Sequence, residues 1–336
     1  MKCGENENEV DKSTDPNLLH LPVTDGSLEL FRHFAKQINL EDIDREAELI
    51  HWSHEHPLIL FDVQKDDDIN DEIMLCDGCV QPISFPFYFC AQCNYFLHFS
   101  CVNLPVELQH PIHHEHLMEL RRGIKFYTLF RCAACFIHQN GFFYGCEKCE
   151  FFLDVKCALL PSSIAHQAHK HPLVQMKGSK DLCSGSGFNF STSGFKCDEC
   201  KFKISHSSAQ LPPTIKHGWD KHLLTLSYPP FSDHPDEFHC EMCEDEINPH
   251  RWIYHCRDCD QSFHTKCIKD YYSYVKYGGK LEVNCHPHPL TFVRMVRKRT
   301  SYYSCGHASD IYRPIFECGE CNYTLCLKCI TLSILT

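Results

Sequence analysis

Apolar positions in this chain come in short bursts, not long runs. FPFYFC (85–90), GFFYGC (141–146) and RWIYHC (251–256) are aromatic-rich segments of a few residues, a pattern that predicts short β-strands. The polar joints between them, such as LPSSIAH (160–166), read as turns or a single helical turn. Only residues 27–50 carry helical spacing, through Leu28, Leu30, Phe31, Phe34 and Ile38, and predict one or two short helices. Residues 1–16 have the composition of a disordered segment. No run of about 18 apolar residues exists, so no transmembrane helix is expected.

The bursts repeat. One arrangement recurs five times at intervals of roughly 50–65 residues: a His-Pro-Leu-like tripeptide, a CxxC, a spacer, a second CxxC, and an HxxC. Copy one has His56-Pro57-Leu58, Cys76/Cys79, Cys90/Cys93 and His98/Cys101, then His110. Copy two has His116, Cys132/Cys135, Cys146/Cys149 and Asp154/Cys157, then His166. Copy three has His171, Cys183 with Ser186, Cys197/Cys200 and Ser205/Ser208, then His217. Copy four has His222, Cys240/Cys243, Cys256/Cys259 and His264/Cys267. Copy five has His288, Cys305/His307, Cys318/Cys321 and Cys326/Cys329. The first pair ends eleven positions before the second begins in copies one and two; Ser186 and His307 keep that register, so they stand at ligand positions. The joints LPVELQH, LPSSIAH and LPPTIKH repeat as well. The expected organisation is an acidic segment 1–50 and modules at 51–110, 111–168, 169–218, 219–285 and 286–336.

Composition sharpens this picture. The 336 residues include 25 Cys and 25 His. Disulfide scaffolds have no use for the histidines, and the polar start MKCGENENEVDK has no apolar signal region. A reducing, intracellular setting is therefore expected, in cytoplasm or nucleus, with Cys and His as zinc ligands. Of the net charge of −12, residues 1–75 hold 19 Asp/Glu against 6 Lys/Arg, while 76–336 hold 25 against 26. The body is neutral and offers no general phosphate-binding surface, so no nucleic-acid partner is expected.

Zinc takes four S or N donors in a tetrahedron, and a CxxC turn presents two thiolates to one ion. Eight ligand positions per copy mean two zincs per copy. The order H…CxxC…CxxC-x4-H-x2-C resembles the C1 domain, and more closely the divergent C1 (DC1) modules of plant Cys/His-rich proteins. The resemblance spans about residues 51–336. It implies small zinc-stabilised α+β modules, a tandem array of five cross-brace fingers with short β-strands and little helix. It also implies two ligand sets per module. One joins the opening His, the second CxxC and the trailing residue; the other joins the first CxxC and HxxC.

Carried onto this chain, the sets are His56/Cys90/Cys93/His110 with Cys76/Cys79/His98/Cys101, and His116/Cys146/Cys149/His166 with Cys132/Cys135/Asp154/Cys157. In copy three His171/Cys197/Cys200/His217 is complete, whereas Cys183 stands with three serines, so the second zinc is expected to be absent. Copy four has Cys240/Cys243/His264/Cys267, and His222/Cys256/Cys259 with Cys285 as best candidate for a fourth ligand. Copy five has Cys305/His307/Cys326/Cys329, and His288/Cys318/Cys321 without an assigned fourth donor. The expected total is seven firm zinc sites and up to nine. His54, His114, His169 and His286, each two residues before an opening His, are either competing ligands or supporting and exposed groups.

Closed four-ligand sites leave no room for substrate, so the zinc is expected to be structural and the protein not an enzyme. The resemblance implies a non-catalytic binding protein, with protein partners in plant signalling or stress response. The alternatives are C1-like binding of diacylglycerol or phospholipid, and a PHD-like chromatin reader. Against the first, the Gln-Gly that precedes the second CxxC in lipid-binding C1 domains is replaced by Pro86-Phe87, Phe142-Phe143, Ser193-Gly194, Trp252-Ile253 and Pro314-Ile315. Against the second, Cys132 and Cys135 are explained by the repeat.

Overall fold

The computed structural model describes residues 18–23, 28–37, 45–62, 74–123, 129–177, 181–190, 193–231, 239–269, 274–294, 314–321, 323–327 and 329–330. Five antiparallel four-stranded sheets follow one another along the chain, and a two-stranded ribbon, Phe130–Arg131 with His138–Gln139, falls between the second and third strands of the second sheet. The first joins Glu48–Leu49, Leu58–Phe61, Phe87–Phe89 and Phe96–His98. The second joins Glu107–His110, His113–Arg122, Phe142–Cys146 and Phe151–Asp154. The third joins Ser163–His166, His169–Lys177, Ser193–Lys196 and Lys203–Ser205, and Leu19–Leu21 adds to its edge in parallel. The fourth joins Thr214–Lys216, Leu223–Ser227, Ile253–Cys256 and Gln261–His264. The fifth joins Lys280–Val283, His286–Arg294, Pro314–Cys318 and Thr324–Cys326. The aromatic bursts are thus third strands.

Helix is scarce. Leu28–Gln37 forms one helix in the segment with helical spacing, while Glu48–Leu49 is a strand and residues 38–44 lie outside the described residues. The expected disorder of 1–16 also lies outside them. The other α-helices are single turns, Phe99–Val102, Val155–Ala158, His206–Ala209 and Thr265–Ile268, each continuing directly from a fourth strand. That junction aims the HxxC pair: its first member ends the strand and its second sits on the helical turn.

The strand pairing shifts each unit relative to the division expected from sequence. Strands Glu107–His110 and Ser163–His166, expected at the ends of the first and second modules, pair with the strands that follow them. Lys280–Val283 likewise belongs with His286–Arg294, not with the fourth sheet. The physical reason is the tight hairpin: His110 pairs with His113 and His166 with His169, three residues away, so the joint is the first strand of the next unit.

A small core recurs in each unit. Leu58, Met118, Leu173, Leu224 and Leu290, two residues after each opening His, have no exposed surface. On the neighbouring strand lie Tyr88, Tyr144, Phe195, Tyr254 and Phe316, two residues before each second CxxC, and all are buried. These two large side chains per unit contribute about 1.5–3 kcal/mol each, which leaves a module of some 50 residues short of stability without a further staple.

The first and second units dock, and the third and fourth dock in the same way. Phe142 N–H donates to the Gly78 carbonyl at 2.7 Å, and Trp252 N–H to the Gly185 carbonyl at 3.0 Å. Both glycines lie within a first knuckle, and both third strands press on them: a Cβ on Gly78 would meet Phe142 at 3.2 Å and one on Gly185 would meet Trp252 at 2.8 Å. Aromatic packing matches too, with His51 stacked on Phe142 and His166 stacked on Trp252.

Candidate metal centres

The strands and knuckles gather eight groups of three or more Cys, His or acidic residues among the described residues, with donor atoms within 4.8 Å of one another. Two kinds alternate. The inner kind joins the first knuckle to HxxC, as in Cys76/Cys79/His98/Cys101, which is entirely buried, and Cys240/Cys243/His264/Cys267. His98 Nδ1 lies 3.3 Å from Cys79 Sγ, and His264 Nδ1 lies 3.3 Å from Cys243 Sγ. The opposite ring nitrogens face the carbonyls of Pro82, at 2.9 Å, and Glu246, at 3.2 Å, which turns Nδ1 toward sulfur.

In the second unit Asp154 takes the histidine's place. Its Oδ2 lies 3.1 Å from Cys135 Sγ, and its Oδ1 accepts the Cys157 N–H at 2.8 Å, capping the helical turn. Burial and the neighbouring Cys135 push its carboxyl up to about 7. A dry carboxyl among three thiols is a poor arrangement for an apo protein and a suitable one for a dication.

The outer kind joins the second knuckle to two residues at or just before the start of the second strand. The groups are His54/His56/Cys90/Cys93, His113/His116/Cys146/Cys149 and His169/His171/Cys197/Cys200. Opening histidines use Nδ1: His56 is 3.3 Å from Cys93, His116 is 3.4 Å from Cys149, and His171 is 3.6 Å from Cys197. The second histidine of the third unit uses Nε2, 3.5 Å from His169 to Cys200. His54 Nε2 and His113 Nε2 are buried and make no hydrogen bond.

The fourth and fifth units follow the same plan. His222 Nδ1 is 3.1 Å from Cys259 and 3.7 Å from Cys256, while Asp220 Oδ1 is 3.2 Å from His222 Nδ1 and 3.7 Å from Cys259. In the fifth, His288 Nδ1 is 3.7 Å from Cys318 and His286 Nε2 is 3.4 Å from Cys321. Backbone N–H groups point at the knuckle sulfurs throughout, among them Gly78 to Cys76, Gln92 to Cys90 and Glu320 to Cys318, each at 3.3 Å. Such donors favour thiolate over thiol. Sulfur-rich, four-donor, buried or half-buried sets with orphaned ring nitrogens fit zinc.

Three segments of the chain match the model of the C1 domain family: residues 52–102, 111–158 and 217–268. No curated protein and no solved structure matches the chain. The C1 matches fall on the first, second and fourth sheets, each of which carries both kinds of donor group.

The trailing histidines are not where the resemblance placed them. His110, His166 and His217 do not join the outer groups; His54, His113 and His169 do, and in the fourth unit Asp220 stands where Cys285 was the candidate. The reason is the hairpin turn. Ring Nδ1 of His110 accepts the N–H of Ile112, that of His166 the N–H of Ala168, and that of His217 the N–H of Trp219, at 3.1–3.3 Å. His51 does the same for Ser53 at 3.3 Å. The far nitrogens of His51, His110 and His166 are buried and make no hydrogen bond. These histidines cap turns. Cys285 is exposed, 3.6 Å from the Tyr323 hydroxyl, in the fifth unit.

The fifth unit departs from expectation at its outer set. His286 supplies the outer donor that was unassigned on sequence. The inner set expected there, Cys305/His307/Cys326/Cys329, is described only in its second half, because Cys305 and His307 lie outside the described residues. Cys326 ends the fourth strand. Cys329 follows three residues later, half-buried and packed against the small core of Leu290, Phe316 and Leu325. The pair therefore occupies the strand end and following turn that HxxC occupies in the other units, with a thiol in the place of the imidazole.

One signal in the sequence marks the second outer histidine: an aromatic two residues beyond the second knuckle. His54 stacks on Tyr95, His113 on Phe151, His169 on Phe202 and His286 on Tyr323, with centroids 4.2–4.9 Å apart. Where the donor is Asp220, the platform position is Gln261. In the second unit the in-register residue is His113; His114, the one two positions before the opening His, is exposed.

The third unit keeps an outer group and fills the inner place differently. Cys183 Sγ lies 3.3 Å from Ser208 Oγ, and Ser205 Oγ is 3.1 Å from Ser208 Oγ. His206, off register, is buried against Ser193 and Gln175. Arg251 of the fourth unit donates to the carbonyls of Cys183 and Ser184, bracing the knuckle from outside.

Proposed function

We propose that this chain is a zinc-stabilised array of five C1-type modules that acts as a non-catalytic binding protein, with protein partners in signalling. The observation that carries it is the closure of the donor groups. Each outer group draws two donors from the second knuckle and two from the region that opens the second strand. Each inner group draws two from HxxC or its equivalent, Asp154/Cys157 in the second module and Cys326/Cys329 in the fifth. Four protein donors leave no coordination position for water or substrate. Zinc then acts as the staple that the small cores require, through inner groups in the first, second, fourth and fifth modules and outer groups in all five. The third and fifth sheets, with the same strand order and donor spacing, are modules of the same kind.

Binding by surface rather than by chemistry follows from that role. The positions that replace Gln-Gly support protein contacts over lipid insertion: Phe142, Trp252, Ile253 and Ile315 are all buried. Among the described residues, no helix is long and apolar enough to cross a membrane. The test uses the full chain. Zinc is counted by native mass spectrometry, and near-UV CD is followed while a chelator removes it. Affinity purification from native tissue then compares wild type with Cys90→Ser and Cys240→Ser. Loss of near-UV CD with zinc, and partners lost in the two variants, are the expected results. Retained near-UV CD after complete zinc removal would overturn the reading.

A further inference from the structure

A cavity of about 540 Å³ opens where the second, third, fourth and fifth sheets meet. This lies within the size range of ligand sites, which form preferentially between folded units. Leu211, Ile215, Tyr254 and Ile268 give it an apolar lining. Lys156, Lys216, Lys269 and Arg294 also line it, and Asp154 is the one carboxylate among the described lining residues. Four cations against one acid is a local excess in a body, residues 76–336, that holds 25 Asp/Glu against 26 Lys/Arg.

Two of those cations have a local task. Lys156 is buried with its ammonium 3.9 Å from the centre of the Tyr274 ring. Lys269 donates to Ser207 Oγ at 2.5 Å and to the Cys135 carbonyl at 3.4 Å. Both flank the Cys132/Cys135/Asp154/Cys157 group, whose three thiolates and carboxylate leave an excess of two negative charges around one zinc. Two lysines balance that excess. Lys216 and Arg294 are exposed at the rim and are not needed for it. His217 also lines the cavity.

We propose that this cavity binds a small amphiphilic anion, its carboxylate or phosphate head between Lys216 and Arg294 and its alkyl or aromatic body against Leu211, Ile215, Tyr254 and Ile268. Charge complementarity selects the head, and the apolar lining rejects a bare inorganic ion as a sufficient ligand. The site goes beyond the array reading. It depends on that reading for the docked arrangement of sheets and for the charge balance at Asp154.

The experiment titrates the zinc-loaded full chain with 8-anilinonaphthalene-1-sulfonate, an aromatic sulfonate whose fluorescence rises in apolar surroundings. Competitors are dodecanoate and dodecyl phosphate below their micellar concentrations, and inorganic phosphate. Saturable binding of one probe per chain is expected, displaced by either amphiphile and not by inorganic phosphate. Lys216→Gln and Arg294→Gln, both at exposed positions, should each weaken binding roughly tenfold, as expected for one charge-assisted contact. Gly218→Trp should abolish it, because Gly218 lines the cavity and a Cβ there meets nothing within 4 Å. Zinc content and near-UV CD of the same samples are recorded, so collapse of the array is distinguished from loss of the ligand. Probe binding unchanged in all three variants, displacement by inorganic phosphate alone, or no binding to a chain with full zinc content would overturn the proposal.

Discussion

His54→Ala and His110→Ala separate the two ligand assignments for the outer group of the first module. His54 belongs with His56, Cys90 and Cys93, and its Nε2 is buried without a hydrogen bond. Structural zinc contributes about 10–16 kcal/mol per site in finger peptides at pH 7, so one donor in four is worth roughly 2.5–4 kcal/mol. Removing it should lower zinc affinity at that site by about 100- to 1,000-fold. His110 instead accepts the Ile112 N–H at 3.3 Å and is buried. His110→Ala strands that donor and opens a cavity, at a cost of about 1–3 kcal/mol of stability for the donor, with the zinc count unchanged. Native mass spectrometry of the full chain gives the count, and competition with a colorimetric chelator gives the affinity at the weakest site. Thermal unfolding of the zinc-saturated variants reads the second effect. Loss of one zinc from His110→Ala, with wild-type zinc affinity in His54→Ala, would refute the reasoning.

Three further outcomes are expected. Gly78→Val and Gly185→Val should separate the docked pairs, each costing about 1–3 kcal/mol through overpacking against Phe142 or Trp252; new protease cuts between units with unchanged zinc content would show it, and wild-type stability would contradict it. Tyr95→Ala removes the platform under His54, so zinc exchange at that outer group should speed up about 10- to 100-fold, whereas Gln261→Ala, at the platform position of the fourth unit, should leave the rate there unchanged. The triple change Ser186→Cys, Ser205→His and Ser208→Cys gives Cys183 three partners in the geometry of the other inner groups, and should raise the zinc count by one in native mass spectrometry.

Much of the architecture was legible from spacing. Two donors three residues apart share one turn whatever surrounds them, so CxxC and HxxC announce their own local structure. Aromatic bursts ending in cysteine announce strands because nothing else accommodates such side chains in so few residues. The inner groups needed only these local rules, and Asp154 sits where the register placed it, with its side chain on the Cys135 sulfur. The outer groups needed more. Their fourth donor comes from one of several nearby histidines, and spacing along the chain does not rank them. His110 and His113 differ by three residues, but the hairpin commits the first to an N–H and presents the second to the sulfurs.

Residue identity along the chain therefore determined which knuckles exist, how their spacing recurs, and that the donors it gathers are of the kind that suits zinc. The tertiary structure decided which histidines face sulfur, because that depends on strand pairing across the turn and on the aromatic ring beneath each imidazole. It also decided which units dock. Gly78 and Gly185 are ordinary turn residues in the sequence, and only the approach of Phe142 and Trp252 gives them their role. Ligand spacing is a short-range property carried by backbone geometry, whereas side-chain direction and contacts between units are long-range properties set by packing.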